Sequence, residues 1–138
     1  MLTETKGIPL AVEVAGANVH DTRLLVKTLL GIIVDRPRPT RKNKQHLCAD
    51  KGYDSEENRI IAQLLGYVFH IKSRWEKNIF LKNKPTFQAR RWVVERTHSW
   101  LNRFRRILIR WEKKAENYRA MLHLAFSYIT LKAAGVLG

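Results

Sequence analysis

His46-Leu47-Cys48-Ala49-Asp50-Lys51-Gly52-Tyr53-Asp54 is the stretch that decides the fold. Its first four residues form a short apolar run ending at Asp50, which predicts a strand, and Lys51 to Asp54 predicts a glycine turn. Ser55-Glu56-Glu57-Asn58 then opens a helix bearing Ile60, Ile61, Leu64 and Leu65, with Gly66 where a C-terminal glycine belongs. Tyr67-Val68-Phe69-His70-Ile71 resumes as a strand. Strand, helix, strand implies parallel neighbours joined through a helix, hence an α/β sheet rather than a helical DNA-binding module. Asp50 is thereby expected at the C-terminal end of an inner strand, where open α/β sheets place their binding sites.

Upstream, Ile8 to Val14 is apolar and partly β-branched and follows Lys6-Gly7, so a turn and then a strand are predicted, with residues 2 to 5 as a very short hairpin partner. Leu24, Leu25, Thr28, Leu29 and Ile32 mark one face of a helix that Asp21 is placed to cap. Asp35 to Lys44 reads as a loop with Pro37, Pro39 and five cations, either a solvated linker or a phosphate-contacting loop.

Downstream, Lys72 to Pro85 is basic and irregular. A long helix is then predicted from about Thr86 to Lys114, with Val94, Leu101, Phe104, Leu108 and Trp111 as a core-facing stripe that Trp100 and Ile107 widen. A last helix from about Glu116 to Lys132 presents Tyr118, Met121, Leu122, Ala125, Phe126, Ile129 and Ala133 to the same body.

The 138 residues fit one domain, and 45% apolar residues suffice for a core. Against that core stand 26 Lys plus Arg and 12 Asp plus Glu, a formal charge of +14 suited to phosphate backbones first, and also to an anionic membrane or an acidic protein. A single cysteine, Cys48, rules out an internal disulfide and a cysteine-held structural zinc. No signal peptide opens the chain and no run approaches a membrane span, so an intracellular, cytoplasmic and nucleoid-associated protein is expected.

Arg91, Glu95, Asn102 and Arg106 fall close to one line along the predicted long helix, in a segment, 86 to 114, holding nine Lys or Arg and two Glu. Glu95 is either an ordinary charge partner among arginines or a metal-binding carboxylate whose arginines steer a phosphate. Cleaving a phosphodiester with two divalent ions requires several carboxylates around ions about 3.5 to 4 Å apart. A strand end such as Asp50 and a crossing helix are able to supply them. The five histidines have no metal-ligand spacing, and of these His98 alone lies one turn from Glu95.

Four motifs in order carry a resemblance over nearly the whole chain: Gly7-Ile8-Pro9-Leu10-Ala11-Val12-Glu13-Val14, Gly16-Ala17-Asn18-Val19-His20-Asp21, Ala49-Asp50-Lys51-Gly52-Tyr53-Asp54, and Arg91-Trp92-Val93-Val94-Glu95-Arg96-Thr97 with Trp100-Leu101-Asn102-Arg103-Phe104-Arg105-Arg106 after it. Together they resemble the C-terminal part of the DDE transposases of the IS5 group, within the IS4-like superfamily of insertion sequences. The resemblance implies a ribonuclease-H-like mixed sheet flanked by helices, here incomplete at its N-terminal strand, with residues 1 to 138 as a partial catalytic domain. It also implies an Asp, Asp, Glu triad that uses Mg²⁺, or Mn²⁺ in its place, to free a 3′ hydroxyl at the element's ends and join it to target DNA.

By that resemblance Asp50 matches the second aspartate, Glu95 the glutamate, and Arg91 the arginine four residues before it. Gln88 and Asn102 replace the tyrosine and lysine of the superfamily signature, and Arg96, Arg103 and Arg106 remain as phosphate ligands. Glu4 stands where the family has its first aspartate. The added methylene displaces a carboxylate oxygen by about 1 Å, where such errors cost about 100-fold. The family's N-terminal recognition region has no counterpart ahead of Glu4, so the expectation is a truncated or decayed copy with little or no transposition on its own. The alternatives are a non-catalytic DNA-binding remnant that mixes with an intact transposase, or a stand-alone nuclease without terminal-repeat preference; homo-oligomers fit either assembly.

Overall fold

The computed structural model describes residues 1–35, 37, 39–71 and 92–137. The basic stretch 72–85, the expected start of the long helix at 86–91, and Arg36 and Arg38 of the proline loop lie outside the described residues. The chain divides into two units, Met1–Asn18 with Lys27–Val34 and Arg90–Gly138, and Val19–Val26 with Asp35–Ala89.

In the second unit β3 (Gln45–Ala49) pairs in parallel with β4 (Tyr67–Ile71), in register from Gln45 opposite Tyr67 to Ala49 opposite Ile71. Helix α2 (Glu56–Leu64) makes the crossover, as the strand, turn and helix signals predict. The Ser55 hydroxyl accepts from the Asn58 amide at 3.2 Å, satisfying one of the first-turn donors that a helix leaves open. Asn58, 2% exposed, donates its side-chain amide to the Tyr53 carbonyl at 2.9 Å and so ties α2 to the turn after Asp50. Gly66, at φ 83°, ends the helix in the left-handed region, and a Cβ there would collide with Pro39. Ala62 and Leu47 are buried in this unit.

The first unit opens with a hairpin, β1 (Leu2–Thr3) antiparallel to β2 (Pro9–Ala11). The strand expected over 8–14 is thus three residues long, because Val12 and Val14 leave the ladder and pack against the helical core. The described strands form two two-stranded sheets, one antiparallel and one parallel, in place of the single mixed sheet expected. Helix α1 (Leu24–Leu30) buries Leu25, Thr28 and Leu29. Asp21 does not cap it. Asp21 lies inside a preceding 3-10 turn, Asp21–Arg23, and the capping acceptor is the His20 ring, Nδ1 receiving the Thr22 amide at 3.4 Å.

The long helix is broken. Helix α3 (Trp92–Leu101) closes in tight turns through Arg103 and Phe104, a four-residue helix α4 (Arg105–Leu108) follows, and α5 (Ala115–Ala133) begins after an irregular link. Residues six apart on a straight helix point about 120° from each other, so an unbroken helix would set Leu101 and Ile107 at opposite edges of a wide apolar stripe. The break lets both join Leu122, Ala125, Phe126 and Ile129 in one buried cluster. Each such large side chain contributes about 1.5 to 3 kcal/mol on burial. Part of the predicted stripe is overturned: Phe104 and Trp100 are half-buried, Val94 on α3 is 37% exposed, and Leu108 and Trp111, beyond the break, are 57% and 70% exposed. The break also takes Asn102, in the turn after α3, and Arg106, on α4, off the straight line that starts from Glu95 on α3.

Candidate active site

Glu4 follows β1 directly and opens the hairpin turn. Its backbone amide donates to the Ile8 carbonyl at 3.0 Å and its carbonyl accepts the Gly7 amide at 3.0 Å. The carboxylate folds over the same turn: Oε1 accepts the amides of Lys6 at 2.7 Å and Ile8 at 3.2 Å, and Oε2 accepts the Thr5 hydroxyl at 3.2 Å. Charge-assisted bonds of this kind fix a side chain's rotamer as well as its charge.

Glu95 is exposed in the first turn of α3, where the positive end of the helix dipole favours an acid. The residues flanking it point inward, Val93 at 5% and Thr97 at 0% exposure. Thr97 joins the Glu95 helix to the Glu4 turn. Its hydroxyl lies 2.6 Å from the Gly7 carbonyl and 3.2 Å from the Val93 carbonyl one turn back. Gly7 makes that approach possible: at φ 89°, an added Cβ would sit 3.3 Å from Thr97 Oγ1 and 3.4 Å from the Val93 carbonyl. Arg96 makes a second tie, donating to the Lys6 carbonyl at 3.3 Å while its guanidinium lies 4.1 Å over the Trp92 ring and 5.9 Å from that of Trp100. Its guanidinium therefore serves the hairpin and the tryptophans.

Asp50, in the other unit, immediately follows β3 and caps the 3-10 turn Lys51–Tyr53, its Oδ1 accepting the Lys51 amide at 2.9 Å. Asp50 stands at the strand end read from the sequence, but β3, in a sheet of two described strands, is not the inner strand expected. Asp21 approaches the same turn, and a Cβ on Gly52 would lie 3.0 Å from its Oδ2. Burial first, and then the charges of Asp21 and Asp50, push the Tyr53 phenol above its ordinary pKa. The acid beside Asp50 was not singled out from the sequence as a site neighbour, although Asp21 closes one of the four motifs and so carried a signal. On the strands, His46 Nδ1 lies 2.8 Å from His70 Nε2 with the rings stacked 5.1 Å apart. Burial, with His46 second, lowers the His70 pKa, and burial raises that of the Cys48 thiol.

Arg103 and Arg106 are exposed beyond the break in the long helix, and Arg106 reaches Glu112 at 3.8 Å. Arg103 borders a cleft of about 440 Å³ lined also by Trp100, Phe104, Tyr128, Ile129 and Lys132. Arg91 lies outside the described residues. His98 is exposed on α3. Glu4 and Glu95 are thus carried on elements bonded to each other, and Asp50 on a turn of its own.

Carboxylate oxygens are the right donors for a small hard dication such as Mg²⁺ or Mn²⁺. Among the described residues no group of three or more His, Cys, Asp or Glu could hold a metal ion. Both oxygens of Glu4 also accept bonds within its own turn. No helix among the described residues is long and apolar enough to cross a membrane.

Comparison with known proteins gives two positive results. Residues 1–130 match the pattern of a family described as the transposase DDE domain. The chain is 39% identical over 137 residues to a Burkholderia cepacia protein titled "Putative transposase for insertion sequence element IS402", covering 90% of this chain and 57% of that protein. The chain therefore spans little more than half the length of that relative. No solved structure matches it.

Proposed function

Because the chain belongs to the family of transposases with a DDE domain, we propose that it acts on DNA in the transposition of an insertion sequence of the IS5 group, by divalent-metal-dependent strand cleavage and joining. The observation that carries this reading is the match across residues 1–130, which takes in Glu4, Asp50 and Glu95 together. A mixed α/β chain with a parallel crossover, and Asp50 at the end of its first strand, fits a ribonuclease-H-like domain.

In this reading Asp50 and Glu95 are the principal carboxylates and Glu4 is the third. Mg²⁺ would supply Lewis-acid activation of the attacking and departing oxygens. Glu4 takes part with both oxygens engaged by its own turn and with one methylene more than the aspartate it replaces, which makes it the weak third ligand. Phosphates fall to Arg91, Arg103 and Arg106, whereas Arg96 holds the Glu4 turn against α3. The partners are the element's terminal repeats, the target DNA and further copies of a transposase.

The formal charge of +14 favours a second reading, a non-catalytic DNA binder, since holding phosphates needs no metal. Chelation separates the two. DNA retardation that survives EDTA while labelled terminal-repeat DNA is cut only in Mg²⁺ supports the first reading. Retardation with no cutting under either condition supports the second.

A further inference from the structure

The residues that the helical break turns outward require an explanation that core packing no longer supplies. Within Arg103 to Lys114, Trp111 is 70% exposed, Leu108 57% and Ile109 53%. Large apolar side chains exposed together within four positions mark a contact surface. They are set among six cations, Arg103, Arg105, Arg106, Arg110, Lys113 and Lys114, and one acid, Glu112. Glu112 is turned inward, its side chain only 12% exposed and 3.8 Å from Arg106, with Oε2 buried. Arg110 is likewise committed, donating to the Glu112 carbonyl at 3.3 Å with its guanidinium 5.1 Å from the Tyr118 ring. What the segment offers outward is apolar surface and the exposed charges of Arg103, Arg105, Arg106, Lys113 and Lys114.

We propose that Arg103 to Lys114 is a nucleic-acid contact element in which Trp111, flanked by Leu108 and Ile109, packs on base faces while the neighbouring cations hold phosphates. The proposal rests on the DNA reading above but not on catalysis. Charge decides among the possible occupants. Two copies of the segment face to face would set cation against cation, whereas a polyanion neutralises the cations and its bases have apolar faces for the indole. Apolar wedges beside Arg and Lys are also how proteins enter and kink a duplex.

The experiment measures binding of a mixed-sequence single-stranded oligonucleotide and of its duplex across a salt series, with the whole chain and without Mg²⁺. Trp111→Ala should weaken single-strand binding about 5- to 100-fold, the worth of one stacked base, and leave the slope of log K against log salt unchanged. Trp111→Phe should recover most of the loss. Lys113→Ala with Lys114→Ala should instead flatten that slope by about 1 to 2. Circular dichroism checks that each variant is folded, which the exposure of Trp111 makes the expected result.

If the parent chain binds DNA but Trp111→Ala binds within twofold of it, the contact element is refuted and the DNA reading stands. A parent chain that binds neither nucleic acid overturns both. Sedimentation showing that Trp111→Ala dissolves a dimer without changing affinity per chain would make the patch a self-association surface and overturn the proposal, as would Trp111-dependent binding to anionic vesicles with none to DNA.

Discussion

The Thr97 hydroxyl lies 2.6 Å from the carbonyl of Gly7, ninety positions away in the chain, and both residues are buried. That bond places the turn bearing Glu4 against the helix bearing Glu95, and it depends on a glycine whose φ of 89° other residues rarely adopt.

Thr97→Val keeps the shape and removes the donor, leaving the Gly7 carbonyl without its buried partner. The expected cost is about 1 to 3 kcal/mol, read as a lower urea midpoint, while Thr97→Ser loses less because the hydroxyl remains. Gly7→Ala should destabilise by about 1 to 3 kcal/mol through its backbone conformation and its Cβ contact with Thr97.

Arg96→Ala removes the bond to the Lys6 carbonyl and the stacking on Trp92. It should lower stability by about 1 kcal/mol yet leave the salt dependence of DNA binding as it was, whereas Arg103→Ala should reduce that dependence. An Arg96 variant that flattens the salt slope as strongly as Arg103→Ala would show that this guanidinium contacts phosphate after all.

Ser55→Ala deletes the N-cap of α2 and should cost about 1 kcal/mol in thermal or urea unfolding. Gly66→Ala should cost more, since its φ of 83° and the contact with Pro39 both oppose a side chain.

The His70 pKa is lowered from 6.5 by burial and then by His46, so the fold favours the neutral ring. As pH falls through 6.5 the unfolded chain takes up that proton first, and the folded state loses stability until the folded value is passed. Urea midpoints at pH 7.5 and 5.5 should therefore differ in favour of pH 7.5, and His70→Gln should narrow the difference. An unchanged difference in the variant would assign the pH dependence to other groups.

The second unit was largely legible from the sequence, because its signals are local. An apolar run, a glycine turn, Ser55 as cap and Gly66 as stop each act within a few residues, and the structure places the strand, crossover helix and parallel partner accordingly. The long helix was misread because periodicity records which residues are apolar, not whether the backbone runs straight between them. Leu101 and Ile107 share one core across the break, while Leu108 and Trp111 are left exposed. Asp50 at its strand end was readable from pattern. The bond from Thr97 to Gly7 was not, since neither residue's local context points to a partner ninety positions distant.

The central claim is metal-dependent DNA chemistry at Asp50 and Glu95. Its most direct test is strand cleavage and joining of a labelled DNA carrying the terminal repeats, with the purified chain in Mg²⁺, in Mn²⁺ and in EDTA, alongside Asp50→Asn and Glu95→Gln. Products that require the metal and vanish in both variants are the predicted result. DNA that is retarded but never cut, equally by the parent chain and both variants, would contradict it.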